Sequence, residues 1–352
     1  MRLFILQITV KFDFKTVFVY TGKEFMKIFA YCLREFDEKP FWDQLTNEFD
    51  AEYAYTTDYP SPENVYLAEG YDAISATPCN LDADMLERFY AVGVRYIATR
   101  SIGVDHIDLK KAKELGMGVC HVSYAPQTVA DYSIMLMLMC CRNICHILDR
   151  AKIQDYTLKG KMGKDISDCT VGIIGTGQIG RTVIKHLSGF GCKMLAYDIY
   201  PNEEVKQYAE YVPLETIYKE CDIITLHTPA TADNYHFINE RAFEQMKRGV
   251  ILINTARGTL IDADALINAV ESGKVGHAAL DVLEHEDGLY YINRMNDPIE
   301  NRHMALLKSF PNVILSPHTA FYTEKVVWDM AYKTFKGVYD MMNKHENPLI
   351  IV

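Results

Sequence analysis

Apolar residues along this chain form short runs that alternate with amphipathic stretches of helical periodicity. In the first third of the chain, such runs cover residues 27–32, 73–76, 95–99 and 118–122. Short apolar strands separated by helices are typical of a parallel β-sheet, because parallel neighbours need crossover connections. The pattern therefore predicts an α/β fold for this part of the chain.

A second alternation follows a long apolar stretch, 127–147, which predicts a helix, and a polar segment, 159–163, which predicts a surface loop. Helices are predicted at 178–188, 214–219 and 262–272, and six strands at 170–174, 193–197, 223–227, 249–254, 278–282 and 313–316. Six strands with crossovers are what a doubly wound dinucleotide-binding domain requires. The last predicted helix, 323–342, could pack on either domain. A chain of 352 residues accommodates two domains.

The most informative motif directly follows the first strand of the second alternation. Gly175, Gly177 and Gly180 form a G-x-G-x-x-G pattern there. In dinucleotide-binding domains the first glycine permits a tight turn, the second lets a pyrophosphate approach the backbone, and the third lets the helix pack close to the sheet. The helix also offers free N–H groups and its positive dipole end to the phosphates. This setting predicts dinucleotide binding.

An acidic residue, Asp198, closes the next predicted strand. Its carboxylate can accept hydrogen bonds from both hydroxyls of an adenine ribose, and it would repel a 2′-phosphate. The next residues, Ile199, Tyr200 and Pro201, include no arginine that could receive such a phosphate. The sequence therefore predicts NAD rather than NADP as the cofactor.

Composition argues against several other classes of function. The formal net charge is −11 without a cluster of Lys or Arg, so we expect no nucleic-acid partner. No stretch approaches the roughly 18 apolar residues of a membrane span. Nine cysteines without framework spacing indicate reduced thiols and a cytoplasmic protein. Cys140, Cys141, Cys145 and His146 lie inside an apolar run, where cysteine behaves as a small hydrophobic residue, so we predict no metal site.

Residues 1–25 differ from the rest of the chain. Arg2 and the apolar stretch 3–10 loosely resemble a signal peptide, but Lys11 and Asp13 follow at once and no small-residue cleavage site is present. A second methionine, Met26, opens a clean strand pattern. We therefore expect residues 1–25 to be an irregular extension or a misassigned start rather than a secretion signal.

Candidate catalytic residues follow the predicted strands, because ligands of open parallel sheets bind beyond the carboxyl ends of the strands. They are His227, Arg257, the pair Glu284 and Glu286, and His318. Reduction of a 2-oxo acid needs an arginine for the substrate carboxylate, a histidine that donates a proton, and a carboxylate that orients the imidazole. Each candidate could instead be an ordinary ion pair or structural group. The pattern alone chooses neither between the two histidines nor between the two glutamates.

Five stretches of sequence resemble the D-isomer-specific 2-hydroxyacid dehydrogenases, in particular the D-lactate dehydrogenase branch that includes the vancomycin-resistance lactate dehydrogenases. They are RSIGVDHID (100–108), VGIIGTGQIG (171–180), INTARG (253–258), ALDVLE (279–284) and SPHTAFYTE (316–324). The resemblance implies two doubly wound, Rossmann-like parallel-sheet domains with the active site in the cleft between them. The substrate domain would comprise 26–124 plus 323–352, and the NAD-binding domain 125–322.

The resemblance also implies roles for individual residues. Arg257 would be the catalytic arginine, His318 the proton donor, and Glu286 the partner of the histidine. NAD contacts are implied for a larger set of residues: Gly175, Gly177, Gln178, Ile179, Gly180, Asp198, Thr228, Pro229, Asn234, Thr255, Ala256 and Asp281. In one departure, many relatives have Glu-Gly-Glu where this chain has Glu284-His285-Glu286, which leaves the conformation of that loop open.

The substrate is implied to meet Tyr124, Phe321 and the loop of Ala76 and Thr77, whose backbone N–H groups would bind its carboxylate. Two aromatic residues favour a small substrate side chain, hence reduction of pyruvate to D-lactate. An apolar pocket discriminates one methylene by only about 10- to 200-fold, so 2-oxoisocaproate, phenylpyruvate and 2-oxoglutarate stay alternatives. The alternative of another class is a non-catalytic NAD-sensing interaction protein on the same fold. The resemblance further implies a homodimer.

Overall fold

The computed structural model of the protein describes residues 25–286 and 288–352. The predicted extension, apart from Phe25, lies outside the described residues. Within them the strands form two separate parallel sheets, of five and seven strands. Two doubly wound parallel α/β sheets are the fold class that the sequence predicted, and that prediction is confirmed.

The first sheet has the strand order β2-β1-β3-β4-β5. Its strands are β1 Met26–Ala30, β2 Ala51–Tyr55, β3 Ala73–Ala76, β4 Tyr96–Thr99 and β5 Gly118–Cys120. Its helices are α1 Lys39–Phe49, α2 Ala83–Ala91, α3 Leu109–Leu115 and, from the far end of the chain, α11 Glu324–Met342. Helix α11 contacts α1, β4 and β5, so it packs on the first sheet. The sequence missed β2, because this edge strand has no fully buried residue and hence no clear apolar run.

The second sheet has the order β12-β11-β10-β9-β6-β7-β8. Its strands are β6 Thr170–Ile174, β7 Lys193–Tyr197, β8 Glu210–Tyr211, β9 Ile223–Leu226, β10 Val250–Asn254, β11 Val275–Leu280 and β12 Val313–Leu315. Its helices are α4 Gln127–Cys141, α5 Ile144–Lys152, α6 Gln178–Leu187, α7 Leu214–Glu220, α8 Glu240–Gln245, α9 Ala263–Glu271 and α10 Arg302–Ser309. The strand order reverses between β6 and β9, the position at which ligands of such sheets bind.

Two expectations for this half of the chain were wrong. The sheet has seven strands rather than six, because β8 pairs with β7 over only two residues, too few to give a sequence pattern. The apolar stretch 127–147 is not one helix. It breaks at Asn143, whose φ of +53° is left-handed and whose amide donates to the carbonyl of Met162 at 2.8 Å. Asparagine tolerates this conformation better than most residues, so it permits the break.

The chain passes from the first sheet to the second near Tyr124 and returns near Phe321. The two rings lie side by side, with centroids 6.4 Å apart. Val122, Val326 and Met330 form a small buried cluster with them. The predicted division into 26–124 plus 323–352 and 125–322 stays a prediction. In the part of the chain that the structure describes, no helix is long and apolar enough to cross a membrane.

Candidate active site

The glycine loop between β6 and α6 is shaped by close backbone contacts. Gly175 has a φ of +94°, and a Cβ there would lie 2.6 Å from the carbonyl carbon of His227. A Cβ on Gly180 would lie 2.0 Å from the carbonyl oxygen of Gly175. Gly177, the N-cap residue of α6, faces open space, and no side chain caps the helix. The N–H groups of the first turn, which includes Gln178 and Ile179, are therefore free to bind a phosphate.

Asp198 lies beside this loop at the end of β7. One carboxylate oxygen accepts hydrogen bonds from the backbone N–H of Thr176 at 2.5 Å and from its hydroxyl at 3.0 Å. The other oxygen accepts from the N–H of Tyr200 at 2.8 Å. The oxygen that accepts from Tyr200 can accept a further hydrogen bond, so the carboxylate is fixed and still able to bind a ribose hydroxyl. The open space at Gly177 and the placement of Asp198 fit NAD.

The other predicted cofactor residues lie on loops after β9 and β10. Thr228 and Pro229 follow β9, and the amide of Asn234 donates to the carbonyl of Pro229 at 2.7 Å, which closes that loop. After β10, the hydroxyl of Thr255 is 2.8 Å from that of Ser133 on α4. The N–H of Ala256 donates to the side chain of Asn254 at 3.0 Å.

Asp281, another predicted cofactor residue, directly follows β11. Its side chain is fully buried. The carboxylate accepts from the hydroxyl of Ser316 at 2.6 Å and from the N–H groups of Thr319 at 2.9 Å and Ala320 at 2.8 Å. The structure therefore places Asp281 behind the loop that carries His318, where it holds that loop in shape.

His318 and Glu286 form the carboxylate–histidine pair of the site. Nδ1 of His318 lies 2.5 Å from Oε1 of Glu286, and the other carboxylate oxygen accepts from the N–H of Leu283 at 2.8 Å. The backbone of His318 is left-handed, with a φ of +51°. This conformation is uncommon outside glycine, and the hydrogen bond from the His318 N–H to the carbonyl of Asp281, at 2.8 Å, helps to hold it.

The alternative histidine and glutamate have other partners. Nε2 of His227 lies 2.9 Å from the hydroxyl of Thr225, and burial lowers the pKa of His227 to about 3. Glu284 accepts hydrogen bonds from the hydroxyl of Tyr235 at 2.8 Å and pairs with Nε2 of His236 at 2.7 Å. A proton donor oriented by a carboxylate is therefore available at His318 and not at His227.

The loop between the two glutamates adopts a conformation typical of glycine. His285 has a φ of +59° and is exposed to solvent, and its Nε2 lies 4.0 Å from Oε1 of Glu284. This finding explains how a bulky residue fits where glycine would be expected. The cost is backbone strain, which histidine tolerates better than most side chains.

Arg257 extends from the end of β10 towards the loop that follows β4. Its Nη2 lies 3.6 Å from Oδ1 of Asp105, and its Nη1 donates to the carbonyl of Ala256 at 2.8 Å. A Cβ on Gly103 would lie 2.0 Å from the same Nη2, so a side chain there would displace the guanidinium. A Cβ on Gly258 would lie 2.0 Å from the carbonyl carbon of Leu283. Arg257 thus contacts the loop that follows β4 in the first sheet. The next residue, Gly258, packs against Leu283 in the segment before Glu286.

Of the predicted substrate residues, the two aromatic ones lie near His318, and the other two lie at the end of β3. The ring of Phe321 lies 6.3 Å from that of His318, edge to face, and its other neighbour is Tyr124. Burial raises the pKa of Tyr124 to about 12, so this phenol stays neutral. Ala76 is buried at the end of β3, and its carbonyl accepts from the N–H of Arg100 at 2.8 Å. Thr77 follows it, just beyond the carboxyl end of β3.

The sequence did not predict two buried polar residues that hold main-chain segments around the site. Asn254 is fully buried, and its amide donates to the carbonyl of Arg257 at 2.8 Å, which fixes the turn that carries the arginine. Arg100 is also fully buried and donates to Glu38 at 3.0 Å and to the carbonyls of Tyr31 and Cys32 at 2.8 and 3.0 Å. Each of the two is a polar residue at the end of an apolar strand. This pattern was the signal in the sequence by which they could have been found.

The sequence and the fold of the chain match those of a known family. Residues 134–320 match the model of the D-isomer specific 2-hydroxyacid dehydrogenase NAD binding domain. The chain belongs to this family of dehydrogenases. It is 43% identical over 324 residues, 90% of this chain and 96% of the relative, to an aromatic 2-oxoacid reductase of Clostridium sporogenes. It is 38% identical over 311 residues, 87% and 93% of the two chains, to a D-lactate dehydrogenase of Lactiplantibacillus plantarum.

A solved structure, that of the D-lactate dehydrogenase of Escherichia coli, superposes with a TM-score of 0.83. It is 32% identical and covers 93% of this chain and all of that one. The predicted family, enzyme class and cofactor are therefore confirmed: the protein is an NAD-dependent oxidoreductase that acts on a CH–OH group.

Proposed function

We propose that this D-2-hydroxyacid dehydrogenase reduces a 2-oxo acid with His318 as the proton donor. The hydrogen bond of 2.5 Å between His318 and Glu286, in the cleft that Arg257 also enters, is the observation that carries the proposal. A carboxylate at this distance keeps the imidazole in one tautomer and one orientation. No other described histidine near the strand ends combines such a partner with a place beside Phe321.

The chemistry divides among few groups. Bound NADH supplies the hydride to the carbonyl carbon. The guanidinium of Arg257 binds the substrate carboxylate and polarises the ketone, with Asp105 releasing it when the anionic substrate arrives. The imidazolium of His318 gives its Nε2 proton to the carbonyl oxygen as negative charge develops there, and Glu286, in contact with Nδ1, orients the ring for this transfer. The products are a D-2-hydroxy acid, NAD and a neutral His318.

Pyruvate is the proposed substrate, since the rings of Tyr124 and Phe321 narrow the pocket beside His318. The second candidate is an aromatic 2-oxo acid such as phenylpyruvate. It is favoured by the relative of Clostridium sporogenes that is 43% identical over 90% of this chain. Aromatic pocket walls can also stack on an aromatic substrate side chain.

A substrate panel tests both candidates. Purified protein is assayed for NADH oxidation with pyruvate, 2-oxoisocaproate, phenylpyruvate and 2-oxoglutarate, and kcat/KM values are compared. A ratio of pyruvate to phenylpyruvate above about 10 supports the small pocket, and a ratio below about 0.1 supports the aromatic substrate, since one or two contacts in an apolar pocket account for differences of this size. NADH binding without turnover of any 2-oxo acid would instead favour a non-catalytic NAD sensor.

Two further parts of the proposal concern the whole protein. We propose a homodimer, supported by the exposed apolar surface of α5 and the segment after it. We also propose a cytoplasmic location, supported by nine cysteines that are all free in the described residues.

A further inference from the structure

The segment between Glu286 and α10 carries two consecutive tyrosines with opposite environments. Tyr290 is buried in the core of the second sheet, together with Leu283 and Leu307. Tyr291 has a φ of +66° and remains about half exposed. The buried ring therefore anchors the segment, and the left-handed turn that follows points the next ring in a different direction.

Tyr291 reaches the proposed proton donor. Its hydroxyl donates a hydrogen bond to the main-chain carbonyl of His318 at 2.8 Å, and the two rings lie 6.5 Å apart. Burial raises the pKa of Tyr291, and the nearby charges of Glu286 and Asp281 raise it further, so the phenol keeps its proton and stays a donor. The segment itself is braced by Arg294, which donates to the carbonyl of Gly288 at 2.6 Å.

This contact matters because the backbone of His318 is strained. A left-handed backbone is strained for a non-glycine residue and persists only when its surroundings determine it. The N–H of His318 is held by the carbonyl of Asp281, and its Nδ1 by Glu286. Tyr291 holds the carbonyl of His318, and Asp281 holds the N–H of Thr319 in the same peptide plane at 2.9 Å. The plane between His318 and Thr319 is therefore held from both of its polar groups.

We propose that Tyr291 is a positioning residue, which holds the imidazole of His318 in its proton-donating orientation through the main chain. This inference rests on the proposed role of His318. Tyr291 does not need to touch the substrate. Without its hydroxyl, the peptide plane after His318 is held by Asp281 alone, and the imidazole samples more orientations that do not face the ketone.

The test compares Tyr291→Phe with a matched control, Tyr53→Phe. The hydroxyl of Tyr53 also donates to an acceptor, Asp43, but lies on β2, far along the chain from the strand ends of the second sheet. We expect Tyr291→Phe to lower kcat roughly two- to tenfold, the equivalent of one hydrogen bond. The KM for the 2-oxo acid and the affinity for NADH should change less than about twofold. The primary isotope effect with 4-deuterated NADH should rise, because the chemical step becomes slower.

A second readout does not depend on turnover. In ¹⁵N NMR spectra of the histidine side chains, Tyr291→Phe should shift or broaden the His318 signal, assigned by its loss in His318→Gln, while Tyr53→Phe leaves it in place. Unchanged kcat, isotope effect and His318 signal in Tyr291→Phe would overturn the inference, as would a loss of kcat equal to that of the control. A wild-type protein that reduces no 2-oxo acid would instead overturn the proposed function. An active wild type with an equally active Tyr291→Phe would overturn only the inference about Tyr291.

Discussion

Two carboxylate–histidine pairs lie almost side by side, Glu286 with His318 and Glu284 with His236. Their surroundings distinguish them. Burial tends to raise the pKa of Glu284, but hydrogen bonds from His236 and Tyr235 outweigh it and lower the pKa, so this carboxylate is saturated with partners. Glu286 has one N–H donor besides His318. We therefore assign the acid–base chemistry to the pair of Glu286 and His318, and a structural role to the pair of Glu284 and His236.

The first prediction concerns the proton donor. His318→Gln should lower kcat by about 10²- to 10⁴-fold, the usual contribution of general acid catalysis. NADH binding, followed by its fluorescence, should stay within a few-fold of wild type, because the glycine loop is untouched. His303→Gln is the control, since that histidine pairs with Asp264 at the surface. Normal turnover by His318→Gln would remove the residue from the mechanism.

A second prediction concerns the choice of cofactor. Asp198→Ser should lower kcat/KM for NADH by about 10- to 100-fold, the equivalent of a hydrogen bond to a charged group, and should raise the NADPH/NADH ratio. Because Asp198 also binds the Thr176 N–H, the melting temperature is measured in parallel to separate lost binding from lost folding. Equal use of NADPH and NADH by the wild type would contradict the assigned role of Asp198.

A third prediction concerns acid stability. His227 has an ordinary pKa of 6.5 when unfolded and about 3 in the fold, because burial disfavours its charged form. Its neutral state is therefore fully favourable above pH 6.5, and that stability is lost as the pH falls from 6.5 towards 3. Between pH 7 and pH 5 this group alone should cost about 2 kcal/mol. Urea unfolding at both values should show a smaller loss in His227→Gln than in wild type, and an unchanged loss in His285→Gln, whose side chain is exposed.

At the scale of elements, apolar runs identified the buried strands well. β6, β9 and β10 are buried along their length or nearly so, and their runs stand out in the sequence. Edge strands such as β2 and β8 are half-buried or very short, so they leave no such signal. The break between α4 and α5 depends on one left-handed residue, Asn143, which no periodicity reveals.

The candidate site shows the same division. Gly175, Gly180 and Asp198 follow from the motif, because their roles are local to one strand–helix–strand unit. The pairing of His318 with Glu286 rather than Glu284 depends on a loop conformation, and spacing alone left it open. Tyr291 lies on an irregular segment and carries no motif, so only coordinates bring it to His318.

A prediction at this scale separates two roles of glycine. Gly180→Ala places a Cβ 2.0 Å from a backbone oxygen, so α6 must shift and the melting temperature should fall by several degrees. Gly177→Ala meets open space in the protein itself, so its melting temperature should stay near wild type while NADH binding weakens through contact with the pyrophosphate. Gly189→Ala, which also meets open space outside the loop, should change neither quantity. A stable Gly180→Ala with normal NADH affinity would contradict this division.

At the scale of the whole molecule, α5 has no buried residue. Large apolar side chains are exposed on it and on the segment that follows: Leu148, Ile153, Tyr156, Leu158 and Met162. Several large exposed apolar side chains in one stretch of chain favour an interface between copies of the chain.

The corresponding prediction is a change of oligomeric state. Wild type should sediment as a dimer of about twice the 40.3 kDa chain mass, and Leu148→Lys with Ile153→Lys should sediment as a monomer. Each charge would have to be desolvated in an apolar contact, which is strongly unfavourable. Tyr66→Lys, at an exposed apolar position on the other half, controls for added charge. A wild-type monomer, or a dimer unaffected by the double variant, would place the interface elsewhere or remove it.

The two points at which the chain crosses between its sheets lie together, at Tyr124 and Phe321. Any rotation of one half against the other must pivot about this pair of adjacent covalent links. Atoms near the pivot move least and atoms far from it move most. The pocket walls beside His318 therefore stay nearly still during such a rotation. The ends of the cleft that lie farthest from the pivot undergo the largest displacement.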